Sequence, residues 1–334
     1  MRDLRIDIFR GVCVLFVVLG HTDYLPKPIF DYIYSFHMPA FFILSGYLFN
    51  TNKKLLLSER VLGRFKRLII PAWVLGLVCG IPFLYMLITG RDGITLEVFV
   101  TKLYGTLTGY PSYSNTFNCT PLWFLYSLFV VDVIASSLYS YNKKHALFLL
   151  YVLGVLGMVL SQYNLPVTPF NLLISMMGLL FFAIGITLRS LNEQWSENIT
   201  VLSFTAAVFF IGNFLSTTPV NMAAHNMGDG FTIVLNIVIA VSGTATIYFI
   251  SGYLKNIKYV TGYISWVGVN TIPIIAFDYY ANNIISLLHR FLNLHAYPLV
   301  NFILKVILLS CIALLLSKSA YLNKIVNGKV DRSV

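Results

Sequence analysis

Apolar residues in this chain fall in long runs rather than in the short alternations of a soluble domain. Ten runs, each near the roughly 20 residues a helix needs to cross a bilayer, lie near 7–24, 29–50, 68–89, 121–140, 145–162, 170–190, 199–217, 229–251, 262–288 and 297–317. Polar residues gather in the turns between them, and neither end carries a tract suited to a separate soluble domain. The pattern predicts an all-α polytopic membrane protein of about ten transmembrane helices, with 1–334 forming one membrane domain. The first run has Arg10 near its start and His21 near its end, and no small-residue cleavage site follows, so it reads as a span and not as a removable signal. The longest connection, roughly 90–120, is rich in Tyr, Thr, Ser, Asn and Gly. Such segments serve as lids and binding loops, or as solvated connectors.

Composition agrees: 57% of residues are apolar, 11% are charged and the mean hydropathy is +0.77. The net charge of +10 by itself suggests nucleic acid, but its distribution argues for topology. With both termini in the cytoplasm, only Lys27, Arg91, Lys102 and Arg290 fall outside, Lys305 lies within the last span, and every other Lys and Arg faces inward. That is the positive-inside bias, with the added effect of attraction to anionic lipid; nucleic acid is excluded as a partner. Cys13, Cys79, Cys119 and Cys311 show no paired spacing, which points to apolar packing rather than a disulfide framework or a metal site.

Five places carry polar chemistry at membrane depth, where ionisable groups are costly and so attract functional readings. Arg10 and His21 share one face of the first helix, on the order of 16 Å apart along its axis; the alternative is an interfacial anchor and an interfacial polar residue. In FHMPAFFILSGYLF, His37 lies roughly 12 Å below the outer surface by helical rise, Pro39 frees backbone groups inside a span, and Ser45-Gly46 makes a second small break, a pattern equally suited to a kinked, closely packed helix. In RVLGRFKRLIIPAW, Arg64 and Arg67 are one turn apart, a spacing suited to holding a phosphate or to anchoring the span at the headgroups. Asp132 falls near mid-membrane. Asp278 and Lys305 lie at similar depths, roughly 15 and 12 Å from their shared outer ends, which predicts a buried ion pair of structural character. No nucleotide-binding, serine-hydrolase or zinc-protease motif is present.

The ordered set IDIFRGVCVLFVVLGH, FHMPAFFILSGYLF, RFKRLIIPAW, PLWFLYSLF and GVNTIPIIAFDYY resembles the membrane acyltransferase-3 family, in the branch of fucose 4-O-acetylase-like glycan O-acetyltransferases. The resemblance covers the whole chain in the same order. It implies a bacterial inner-membrane enzyme with cytoplasmic termini that takes an acetyl group from cytoplasmic acetyl-CoA and delivers it to a hydroxyl of a cell-surface or lipid-linked glycan. It implies catalytic roles for His21 and Arg10, matching the family's Arg-x10-His, and donor binding by Arg64, Arg67, Ser45 and Gly46, matching its Arg-x-x-Arg and SGY elements. His37 joins the catalytic candidates as a second imidazole. The partners implied are the saccharide acceptor and membrane lipids; a homo-oligomer stays open, and no metal is implied.

Two departures stand out. Many relatives carry an acidic SxEEQF-like segment after LW, where this chain reads FLYSLF, with Asp132 further along; many also carry a ninth-span histidine where this chain has Asp278. His21 or His37 suits the role of general base, and histidine is also able to carry the acyl group; direct transfer with His21 as base is the simpler route. Tyr110, Tyr113 and Trp123 offer aromatic faces to a sugar, or belong to an interfacial belt. The rival readings are a transporter or flippase of lipid-linked sugars and a catalytically inactive relative.

Overall fold

A computed structural model describes residues 3–51, 56–163, 165–191, 198–216, 218, 220–292 and 297–328. Arg2, Lys53, Lys54, Lys329 and Arg332, counted above in the inward charge, lie outside the described residues. Among the described residues the fold is all-α, with a single isolated bridge between Asn221 and Asn226. The helices are α1 (Leu4–Gly20), α2 (Lys27–Tyr34), α3 (His37–Tyr47), α4 (Leu57–Thr89), α5 (Leu96–Thr108), α6 (Trp123–Tyr141), α7 (Lys143–Leu160) and α8 (Leu172–Ser190). They continue as α9 (Ile199–Leu215), α10 (Phe231–Leu254), α11 (Lys258–Val269), α12 (Thr271–Ala276), α13 (Asp278–Leu292), α14 (Pro298–Ser317) and α15 (Ala320–Val326).

Among the described residues, six helical segments are long and apolar enough to cross a bilayer: Leu57–Thr89, Thr120–Tyr141, Lys143–Leu160, Pro169–Ser190, Phe231–Leu254 and Pro298–Ser317. The shorter α9 is also apolar. The protein is a polytopic membrane protein, and the second and ninth of the expected spans are interrupted. The second is split into α2 and α3, with Ser35 and Phe36 between them. Pro39 is not the break: it is the third residue of α3, in the first turn, where a backbone N–H has no intrahelical partner to lose. The ninth is divided into α11, α12 and α13 at Asn270 and Phe277. Interrupted helices at membrane depth persist where protein or a wet cavity takes up the freed backbone groups, and both interruptions border the same cavity.

Close helix contacts fix the frame around that cavity. A Cβ at Gly46 would stand 1.9 Å from the Phe182 carbonyl oxygen, and one at Gly185 would stand 2.0 Å from that of Ile43, so α3 and α8 meet backbone to backbone. Gly11 and Gly268 do the same for α1 and α11, with Cβ positions 2.0 Å from the Ile264 oxygen and 1.9 Å from the Asp7 oxygen. Between helices in lipid the drive is packing, and small residues permit it. Gly46 therefore acts as a packing residue in α3.

The segment 90–120 is not a plain loop. Gly90, at φ 65°, ends α4 in the left-handed region, and Thr95 caps α5 by accepting the Val98 N–H. The chain then folds back along α4: the Trp73 indole donates to the Leu107 carbonyl and the Tyr126 hydroxyl to that of Thr106. Lys102, one of the charges assigned to the outer side, is buried, and its ammonium donates to the carbonyls of Tyr113, Ser114 and Thr116 at 3.0, 2.8 and 3.1 Å. Three donors meet three acceptors, so the returning strand is tied down by one side chain.

Candidate active site

A cavity of about 200 Å³ opens between α1, α2, α3, α12 and the 109–123 segment, and both expected histidines line it. His21 caps the C-terminal end of α1. Its Nδ1 lies 3.0 Å from Asp278 Oδ2, so the nitrogen donates to the carboxylate and Nε2 is left to face a ligand. Asp278 begins α13, where the helix dipole favours negative charge. Its other oxygen, Oδ1, lies 3.0 Å from Lys305 Nζ, and both side chains have no solvent exposure.

The expected Asp278–Lys305 pair is present, but describing it as structural leaves out its third member. Lys305 also donates to the carbonyls of Val18 and His21, at 3.3 and 3.0 Å. Asn282, one turn beyond Asp278, donates to the same His21 carbonyl at 2.7 Å. Sequence reasoning missed Asn282; its signal was the four-residue spacing that sets it on the Asp278 face.

His37 begins α3 and is buried; its Nδ1 donates to the Ile33 carbonyl at 2.7 Å, which again leaves Nε2 for the cavity. Tyr34 stands between the two imidazoles, its ring centroid 6.2 Å from that of His21 and 4.9 Å from that of His37. Across from them are Tyr113 and Trp123, two of the three expected platform aromatics. Trp123 is buried in the cavity wall, which removes it from an interfacial belt.

The other expected site residues lie elsewhere. Arg10 does not line the cavity; its guanidinium stands 3.9 Å from the Asp7 carboxylate, lower on α1. Arg64 Nε lies 3.1 Å from Asp132 Oδ1, and Asp132 is 1% exposed, so this guanidinium answers a buried carboxylate on α6. Arg67 is exposed one turn on, and Ser45 is half-buried in α3, away from the histidines. At the far end of α3, Phe49, Tyr139, Lys143, Lys144 and Arg189 surround an open depression of about 440 Å³, where Arg189 Nη1 donates to the Phe49 carbonyl at 2.9 Å.

The fold and this site define a polytopic membrane protein with an oriented histidine–carboxylate pair facing a cavity at one end of its bundle and a basic depression at the other. The family model described as an acyltransferase domain matches residues 3–321, and the chain belongs to that acyltransferase-3 family. Among curated proteins it is similar to nodulation protein NolL of Sinorhizobium fredii (strain NBRC 101917 / NGR234), 42% identical over 57 residues covering 14% of this chain and 16% of that protein. It is also similar to nodulation protein NolL of Mesorhizobium japonicum (strain LMG 29417 / CECT 9101 / MAFF 303099), 40% identical over 57 residues covering 14% of this chain and 15% of that protein. The matched part thus spans about one sixth of these relatives' length. No solved structure matches the chain.

Proposed function

We propose that the protein is an acyltransferase that moves an acetyl group from cytoplasmic acetyl-CoA to a hydroxyl of a cell-surface or lipid-linked glycan, in a bacterial inner membrane with both termini cytoplasmic. The observation that carries the reading is His21, oriented by Asp278 and lining a cavity with a second imidazole. A carboxylate on Nδ1 fixes the tautomer in which Nε2 accepts a proton, which is the requirement for activating a hydroxyl. The acceptor oxygen attacks the thioester carbonyl carbon while its proton passes to His21 Nε2. The C–S bond then breaks, and the departing thiolate takes that proton to give the free thiol of CoA. Proton and charge return to their starting positions, so one base serves both halves of the reaction.

The aromatic walls of Tyr34, Tyr113 and Trp123 suit the apolar face of a sugar ring, and the cavity's Asn221 and Thr271 suit its hydroxyls. For the donor, Lys143, Lys144 and Arg189 beside the Phe49 and Tyr139 rings favour an anionic nucleotide, and Arg67, outside that lining, is the donor ligand expected from the sequence. Arg64 is a weaker donor ligand than expected, because Asp132 already engages it.

The test is the O-acetyl content of surface glycans, by mass spectrometry, in a deletion strain carrying the wild type or His21→Ala at matched membrane levels. Acetyl restored by the wild type and absent with His21→Ala is the expected result. No restoration by the wild type would overturn the glycan-acetyl reading, and equal restoration by both would overturn the role of His21.

A further inference from the structure

We propose that Lys305 is a positioning residue for acyl transfer: its ammonium balances the Asp278 carboxylate that holds His21 and clamps the His21 backbone, keeping the imidazole neutral and able to accept a proton. The proposal rests on the reading of His21 as the base.

Lys305 sits in the middle of an otherwise apolar helix, NFILKVILLS, with no exposure at all. Anchoring α14 does not require a charge there, since an apolar side chain of similar volume holds such a position without the desolvation an ammonium suffers. What the ammonium does is visible in its partners. It forms an ion pair with Asp278 at 3.0 Å from Oδ1 and donates to the Val18 and His21 carbonyls. Val18 and His21 belong to the end of α1, where carbonyls lack helical partners, so Lys305 fixes the backbone that carries the imidazole as well as the carboxylate that orients it. With no solvent exposure, its ammonium does not reach a substrate, which separates positioning from direct catalysis.

The charge count gives the chemical consequence. With Lys305 present, Asp278 and Lys305 together are neutral, and His21 sees an oriented hydrogen-bond acceptor. Without it, a buried carboxylate 3.0 Å from Nδ1 has only the imidazole to compensate it, and an opposite charge at that distance favours the protonated ring. A protonated ring cannot serve as a base. The other titratable groups facing His21 are Tyr34 on α2, and His37 on α3 and Tyr113 of the returning segment, which share its cavity; Asp23, two residues on, bears on Lys305 itself. None of these changes between the variants below.

The experiment reads the imidazole directly. The full-length protein in lipid nanodiscs is treated with diethylpyrocarbonate, which modifies neutral histidine, over a range of pH, and modification of His21 is quantified by peptide mass spectrometry. His21 is 22% exposed through the cavity and therefore reachable. The midpoint is expected to rise by about 1–2 pH units in Lys305→Met, to fall in Asp278→Asn, where the ammonium is left alone, and to return close to the wild-type value in the double variant. If Lys305→Met does not accumulate, Asp278→Asn and the double variant carry the same comparison. Equal midpoints in every variant that folds would overturn the role of Lys305. Acetyl-CoA turnover in the same wild-type preparation, supplied with total surface glycan from the host strain, is expected; its absence would overturn the reading of His21 as base whatever the midpoints do.

Discussion

His21 and Asp278 are 257 residues apart in sequence, and their side chains meet at 3.0 Å. The contact joins the end of α1 to the start of α13, so the tautomer of His21 depends on two distant helices keeping register. Asp278→Asn removes the charge that fixes Nδ1–H and leaves Lys305 unbalanced. The expected effect is a fall in kcat of roughly 10²–10⁴-fold, with KM for acetyl-CoA within about threefold of wild type if the donor's nucleotide binds at the opposite end as proposed. Initial rates in proteoliposomes check this; a kcat close to wild type would remove the pair from the mechanism.

Lys102 organises one wall of the cavity without entering it. Its ammonium holds the carbonyls of Tyr113, Ser114 and Thr116, and Tyr113 lines the cavity. Lys102→Met fills the same space but gives those acceptors no donor, and a buried carbonyl left unmet costs about 1–3 kcal/mol. The returning segment should loosen, raising the acceptor KM by about tenfold while the donor KM holds. Limited proteolysis between 109 and 119 provides an independent reading, with faster cleavage in the variant.

Gly46 separates two readings of the SGY element, donor contact and helix packing. A Cβ there would meet the Phe182 carbonyl oxygen at 1.9 Å, and main chain on both sides cannot rotate away. Gly46→Ala should therefore lower stability by about 1–3 kcal/mol or more, seen as a reduced Tm in detergent, with KM for acetyl-CoA unchanged in the protein that remains folded. An unchanged Tm with a raised donor KM would restore the donor-binding reading.

The sequence was most legible where a structure supplies its own hydrogen bonds. Apolar runs of span length announced most of the membrane helices, since a helix needs no partner to satisfy its backbone in lipid. The Asp278–Lys305 pair followed from depth alone, because α13 and α14 are consecutive in the chain. His21 could not be added by depth, since counting along a helix does not say which helices are neighbours. The break between α2 and α3 was hidden as well: Ser35 and Phe36 are not breakers by type, and Pro39 drew attention three residues too late. Lys102 was invisible because its partners belong to a segment whose fold exists only through tertiary contacts.

The Arg64–Asp132 contact gives the last prediction, because it sets two uses of one guanidinium against each other. Asp132 is 1% exposed and Arg64 Nε is 3.1 Å away, with Arg60 and Arg67 also within electrostatic reach of the carboxylate. Removing one member of a buried pair strands the other, at a cost of about 3–5 kcal/mol, whereas removing both leaves no stranded charge. Arg64→Gln should thus lower Tm strongly, and Arg64→Gln/Asp132→Asn should recover most of the loss, with the donor KM moving less than about threefold in the double variant. If Arg64 mainly holds the donor's phosphates, the pattern inverts. Both variants lacking Arg64 would then show a donor KM raised by about tenfold or more, and restoring Tm in the double variant would not lower it.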